Sequence, residues 1–165
     1  MIRVVAGDLA SQAVDAVLRP ADATLAPVGA PAVQLDELGG DRFAAERRTA
    51  TPLEAGAAVV TGAGALLAGY VLHVVIADER GPASRDRIRR ALVSAWQRAG
   101  DWGLTRVAAP LSGLAGGVLS AEEAAGLLVE TFPRGPVDAG GLELTIVVDA
   151  AAECDAVEAL VRRMT

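Results

Sequence analysis

Three stretches hold the residues that could do chemistry. The first is Gly7-Asp8, directly after the apolar run Val4-Val5-Ala6. A carboxylate at a strand end can accept a hydrogen bond from an adenine-type amino group, or it can cap the turn that follows, and spacing leaves both roles open. The second is Ser-Gly-Leu-Ala-Gly-Gly at residues 112–117, between an apolar run and a helix start. Consecutive small residues let backbone N–H groups approach an anion, and the helix dipole adds to the attraction. The stretch matches neither GxxxxGK[ST] nor GxGxxG, and a tight strand–helix turn has the same composition. The third is residues 26–31, also before a helix. There Pro27 and Pro31 lack the N–H donor, and Val28 takes up space beside it.

Other reactive residue types are scarce. His73 is the only histidine and Cys154 the only cysteine. His73 lies inside the apolar run VLHVV and reads as a satisfied core histidine. One cysteine excludes an internal disulfide and a Cys-rich zinc site, so neither a metal nor another cofactor is expected. The motifs assemble no Ser-His-Asp or Cys-His arrangement.

The elements that must position these stretches follow from periodicity. Residues 4–6 and 13–18 read as buried strands closed by polar turns, the second by Arg19-Pro20-Ala21-Asp22. Pro31 opens a helical stripe stopped by Gly39-Gly40, and Asp41 can cap a second helix to about Arg48. Residues 57–61 and 70–76 read as strands. Ser84 then caps a helix that puts Ile88, Ala91, Leu92, Ala95, Trp96 and Ala99 on one face. Arg85, Arg87, Arg89, Arg90 and Arg98 fall on the other, as a solvated face. Residues 106–109 form a short strand. Ser120 with Glu123 has capping-box spacing for a helix to about Glu130. Residues 132–141 read as loop, 142–148 as a strand and 151–163 as a closing helix. This alternation predicts one domain over residues 1–165, an α/β fold with a mixed, mostly parallel sheet and helices on both faces.

Composition narrows the classes. Apolar residues make up 52% of the 165 and aromatics only 3%, so the core is built closely from Ala, Val and Leu. The formal charge is −6 and every cationic side chain is arginine. That balance argues against a general nucleic-acid binder. Residues 55–77 carry no charge, but four glycines, Thr61 and His73 interrupt them; two buried strands and a turn are expected, not a membrane span. The chain enters a strand at once, with no secretory h-region, and a cytoplasmic location is expected.

Taken in order, these pieces resemble the macro domain family (ADP-ribose-binding, Appr-1-p-processing-like). The family's opening strand, Gly-Asp-Ile/Leu and Asp-Ala-Ile/Val-Val-Asn-x-Ala-Asn stand here as Gly7-Asp8-Leu9 and Asp15-Ala16-Val17-Leu18-Arg19-Pro20-Ala21-Asp22. Its G-x-A-x-x-T-x-A-x-x-L run and Y-V-I-H-x-V strand correspond to residues 56–66 and 70–75. Residues 107–117 with Glu122-Glu123-Ala124-Ala125 resemble its second phosphate-binding loop and helix. The resemblance implies a three-layer α/β/α sandwich that binds ADP-ribose or a related nucleotide. It places Asp8, with Leu9, at the adenine. It places Val28, Gly29 and Ala30 in one loop, and Ser112, Gly113, Leu114, Ala115 and Gly116 in another, around the diphosphate and distal ribose. Some family members hydrolyse ADP-ribosyl esters. Here the family's Asn pair is Arg19 and Asp22, and its triple glycine is Val28-Gly29-Ala30. Binding without turnover is the reading this supports. The alternatives are a hydrolase in which Asp22 orients water, and a macro fold serving protein interaction after losing its ligand.

Overall fold

Small and β-branched residues fill runs that are covered on both sides, and those runs are the strands. The structure is a computed structural model and describes residues 1–49, 51–134 and 141–165. Its strands are β1 (Ile2–Ala6), β2 (Ala16–Asp22), β3 (Ala58–Gly62), β4 (Tyr70–Ala77), β5 (Arg106–Pro110) and β6 (Glu143–Val148). Its helices are α1 (Ala30–Glu46), α2 (Arg85–Asp101), α3 (Ala121–Thr131) and α4 (Ala151–Met164). The strands form one sheet in the order β1-β6-β5-β2-β4-β3. Of these six, only β3 runs antiparallel to its neighbour, β4. The uncharged stretch of residues 55–77 is therefore two paired strands and their connection. No described helix is long and apolar enough to cross a membrane.

Alternation along each strand separates the two faces. Leu18 of β2 and Leu72, Val74 and Ile76 of β4 join Ile88, Leu92 and Trp96 of α2 in the main core, with α3 and α4 alongside. Val17 and Val71 face the other way, onto Leu35 and Phe43 of α1. All six residues expected on the inner face of α2 are buried. Ser84 caps α2 by accepting from the Arg87 N–H at 3.2 Å. The Ser120–Glu123 capping box closes as read from the sequence. Trp96 meets Phe132 edge to face at 5.2 Å and donates to Thr131 Oγ1 at 3.0 Å, which ties α2 to α3.

The structure corrects one boundary that bears on function. Residues 19–22 are not a closing turn but the second half of β2. Arg19, the only charged residue within the buried part of β2, stays in the strand because a carboxylate neutralises it, as described below. The helix break expected at Gly39-Gly40 is present: Gly40, at φ 71° and ψ −167°, divides α1 into two pieces. The loop expected over residues 132–141 lies in part, at 135–140, outside the described residues.

Candidate functional site

In a largely parallel sheet the C-terminal strand ends share one edge, where the following loops can build a ligand site. Here that edge carries Gly7-Asp8, the segment between β2 and α1, and the segment between β5 and α3. Neighbours β2 and β5 are paired only at Ala16 with Val107 and Val17 with Ala108. Beyond that point the strands part. Their loops meet again at Gly29 and Gly113, main chain against main chain. A Cβ on Gly113 would lie 2.7 Å from the Val28 carbonyl oxygen, and one on Gly29 would run into Gly113 Cα. Both residues hold positive φ, 87° and 85°, which glycine adopts without strain.

The junction is rich in donors without acceptors. Among the described residues, the N–H groups of Ser112, Gly113, Leu114 and Ala115 make no hydrogen bond within the protein, and neither do those of Gly29, Ala30 and Ala32. The last three belong to the start of α1, whose N-cap, Gly29, has no side chain to satisfy them. Unpaired amides at a helix N-terminus, beside a second set from a glycine loop, suit an anion with several oxygens. Gly116 does not add a free amide to this set: its N–H bonds the Gly113 carbonyl at 2.9 Å. The Leu114 side chain is fully buried in the main core and the Leu9 side chain in the second, so neither plugs the edge. Val28 packs partly against the main core, and its N–H is taken by the Pro20 carbonyl at 3.0 Å.

Asp8 resolves one of the open alternatives. It sits at the N-cap of a short 3-10 turn (Leu9–Ser11), yet its side chain makes no capping bond. The turn is held by backbone bonds, and Gln12 Nε2 donates to the Asp8 carbonyl, not to its carboxylate. The carboxylate is exposed. It is held on the same strand-end edge by the Gly7 N–H, which donates to the Val148 carbonyl at 3.0 Å.

Asp22 has a different task. Its Oδ1 accepts from Thr24 N–H at 2.8 Å, Thr24 Oγ1 at 2.8 Å and Ala26 N–H at 3.0 Å. These bonds shape the turn that delivers the chain to Gly29. Within that turn Leu25 is held at φ 61° by burial against Ala21 and Val75, a strained conformation for a branched side chain.

Arg19, the other position where the sequence departs from the family's Asn pair, is not at the edge at all. It is fully buried under α1, with Nε and Nη2 donating to the two oxygens of Asp36 at 2.8 and 2.9 Å. Its Nη1 lies 3.2 Å from Nδ1 of His73, its register partner on β4. An arginine has only donors, so Nδ1 accepts, and the imidazole proton resides on Nε2. Nε2 donates to Thr61 Oγ1 at 2.8 Å, which donates onward to the Gly62 carbonyl at 3.0 Å. Burial first, then the Arg19 and Arg47 charges, push the His73 pKa down to about 3. His73 is thus a neutral core histidine, as the sequence suggests. Asp36 and Thr61 are the partners that the sequence reading missed; the signal available was the pairing of two polar residues, Arg19 and His73, at the centres of apolar strands.

Two further carboxylates are structural. Asp15 Oδ2 accepts from Thr105 N–H, Thr105 Oγ1 and Arg106 N–H, at 2.8–2.9 Å, and these bonds hold its pKa below the usual range. Asp78 binds the Ala55 and Arg80 N–H groups and Arg87, and its pKa is lowered for the same kind of reason. Partial burial and the nearby Glu158 push the Cys154 thiol upward, away from a reactive thiolate. Among the described residues no cluster of three or more metal-ligating side chains occurs.

A three-layer α/β/α protein with an amide-lined junction at its strand ends, and a free carboxylate beside it, is what these features define. The Macro domain family profile matches residues 19–128, and the chain belongs to that family. It is 31% identical over 153 residues to an uncharacterized protein of Aquifex aeolicus, covering 92% of each chain. The fold resembles that of the Trypanosoma brucei macrodomain in complex with ADP, with a TM-score of 0.80 and 20% identity over 97% of this chain and 68% of that one. It also resembles an Oceanobacillus iheyensis macrodomain variant with ADPR, with a TM-score of 0.75 and 12% identity over 98% and 91%.

The Gly29–Gly113 contact makes a direct prediction. Gly29→Ala forces a Cβ into Gly113 and a non-glycine residue to positive φ, so the two loops must separate. An effect of about 1–3 kcal/mol is expected on stability, on the scale of overpacking and strained backbone. Urea denaturation of Gly29→Ala beside Ala30→Gly, which leaves the junction clear, measures it.

Proposed function

We propose that this macro domain binds ADP-ribose or a closely related adenine nucleotide diphosphate at the strand-end edge, without turning it over. The observation that carries the reading is the meeting of Gly29 with Gly113, which collects unpaired amides from both loops at one place. A diphosphate supplies enough oxygens to satisfy them, and α1 contributes its positive dipole end. The uncapped carboxylate of Asp8 is an acceptor for the adenine amino group. In a protein of charge −6, dipoles and amides attract the diphosphate where no lysine is available. Asp22 serves this function indirectly, through the turn that presents Gly29. The macrodomain neighbours with ADP and ADPR support the same class of ligand.

Calorimetry tests it. ADP-ribose and ADP should each give saturable heat with one site per chain. Asp8→Ala should weaken both by about 1–3 kcal/mol, the scale of a lost charge-assisted hydrogen bond, with no change in thermal stability because the side chain caps nothing. Absence of heat with either nucleotide, or an Asp8→Ala variant that binds as tightly as the native protein, would remove the proposal or its adenine contact respectively.

A further inference from the structure

We propose that the free edge of β3 pairs with β3 of a second copy of this chain, antiparallel about a two-fold axis at Val60. β3 ends the sheet, so one of its sides has no neighbouring strand. The Val75 N–H donates to the Ala57 carbonyl, and an antiparallel ladder exchanges both bonds at every second residue. The register therefore spends the main-chain groups of Val59 and Thr61 on His73 and Val71 of β4, and turns those of Ala58, Val60 and Gly62 outward. Arg98 Nε meets the Ala58 carbonyl on that outer side at 3.3 Å, and the Thr61 hydroxyl donates to the Gly62 carbonyl at 3.0 Å. Each of these carbonyls keeps a second lone pair. The N–H groups of all three residues and the Val60 carbonyl have no partner among the described residues. The strand reads Ala-Val-Val-Thr-Gly, without the charge, proline or bulge that ordinarily keeps such an edge from pairing.

The flanking charges identify the occupant. Ala58 and Val60 face the α2 side of the strand, and alternation puts a Gly62 side chain there too. Glu46 lies at the Gly62 end, its carboxylate 3.4–3.6 Å from where a Gly62 Cβ would sit, and it makes no ion pair among the described residues. Arg98 lies at the Ala58 end, paired loosely with exposed Asp101 at 3.6 Å. A two-fold axis at Val60 sets Gly62 beside the partner's Ala58, and so each Glu46 beside the partner's Arg98. A sign change from one end of a strand to the other is complementary to its own reverse, which is what an isologous contact supplies. The same rotation extends the contact on both flanks. The exposed Leu67 and Trp102 lie beyond the Gly62 end, with Trp102 against Tyr70, the register partner of Gly62. At the Ala58 end a groove of about 410 Å³ runs between residues 54–57 and α2, walled by Ala55, Ala57 and Val93. Reversal brings the apolar end of each copy to the groove end of the other.

The test is sedimentation equilibrium of the whole chain from micromolar to millimolar concentration, which should show a monomer–dimer equilibrium. Val60→Pro removes an N–H that no bond within the sheet uses, at an edge position where proline is tolerated. It should weaken the dimer about tenfold or more. Glu46→Arg and Arg98→Glu should each weaken it about threefold or more, since like charges then face each other across the axis. The double variant, with the two signs exchanged, should restore the dimer, a rescue that a merely structural role for either residue would not give. Both side chains are exposed, so these variants should keep the native circular dichroism. Asp8→Ala, at the strand-end edge, should leave the association unchanged. A monomer at every concentration overturns the proposal. So does a dimer kept in full by Val60→Pro, or a double charge variant in which the two losses add.

Discussion

Asp36→Ala should destabilise the protein by about 3–5 kcal/mol, the largest single-residue effect expected from the structure. The reason is not the loss of an ion pair as such. Arg19 is fully buried between β2 and α1, and removing Asp36 leaves its charge without a partner in a low-dielectric site. Arg47 would add a second positive charge to the same place. Since small domains have net stabilities of about 5–15 kcal/mol, this variant should be partly unfolded under mild denaturant. The contrasting variant is the double change Arg19→Met with Asp36→Leu. It removes both charges, keeps most of the volume, and should recover most of the loss. Urea midpoints for the native protein, the single variant and the double variant provide the comparison. A double variant no more stable than Asp36→Ala would mean that shape, not charge, dominates at this position.

The second large effect is a pH dependence. His73 is neutral in the folded protein, with a pKa of about 3, and ordinary, near 6.5, once unfolded. Below pH 6.5 the unfolded chain gains a proton that the folded chain refuses. The stability His73 contributes is therefore fully present above pH 6.5 and is lost progressively as the pH falls toward 3, at up to about 1.4 kcal/mol per pH unit. Asp15, Asp78 and Glu123 have lowered values, so their contributions are lost only below the ordinary carboxylate range. Between about pH 6.5 and 4.5 the slope belongs to His73, and a loss of about 2–3 kcal/mol is expected there. In His73→Gln the amide can still accept from Arg19 and donate to Thr61, but it cannot titrate. Its absolute stability is secondary; its stability should be nearly flat across the same window. An equal slope in both proteins would show that another group carries it.

These two effects come from the part of the molecule that the sequence hid. The inner face of α2 was legible because Ile88, Leu92 and Trp96 recur at helical spacing, and the start of α3 because a capping box is a local signal. The loops at residues 26–31 and 112–117 were legible as strand–helix connections rich in small residues. What brings them together was not: the contact of Gly29 with Gly113 joins positions far apart in the chain, through the crossover rules of a parallel sheet. Likewise, Arg19 and Asp36 are 17 residues apart on different elements. Local patterning made Arg19-Pro20 look like a turn, because a charged residue and a proline ordinarily end a strand. Tertiary neutralisation by Asp36 overrode that preference, and the parting of β5 from β2 beyond Val17 put Pro20 where the ladder to β5 has ended.

The buried network and the strand-end edge are linked through α1. Asp36 anchors its first piece against β2, while its N-cap, Gly29, lies against Gly113. The helix that covers the buried network is thus the same one whose N-terminal amides the proposed function assigns to the diphosphate.

The most direct measurement is a crystal structure of the chain grown with ADP-ribose. Diphosphate oxygens are expected within hydrogen-bonding distance of the amides at Ser112–Ala115 and Ala30, with the adenine amino group beside the Asp8 carboxylate. A nucleotide bound elsewhere on the surface, or an empty edge at saturating ADP-ribose, would contradict the assignment of this edge as the ligand site.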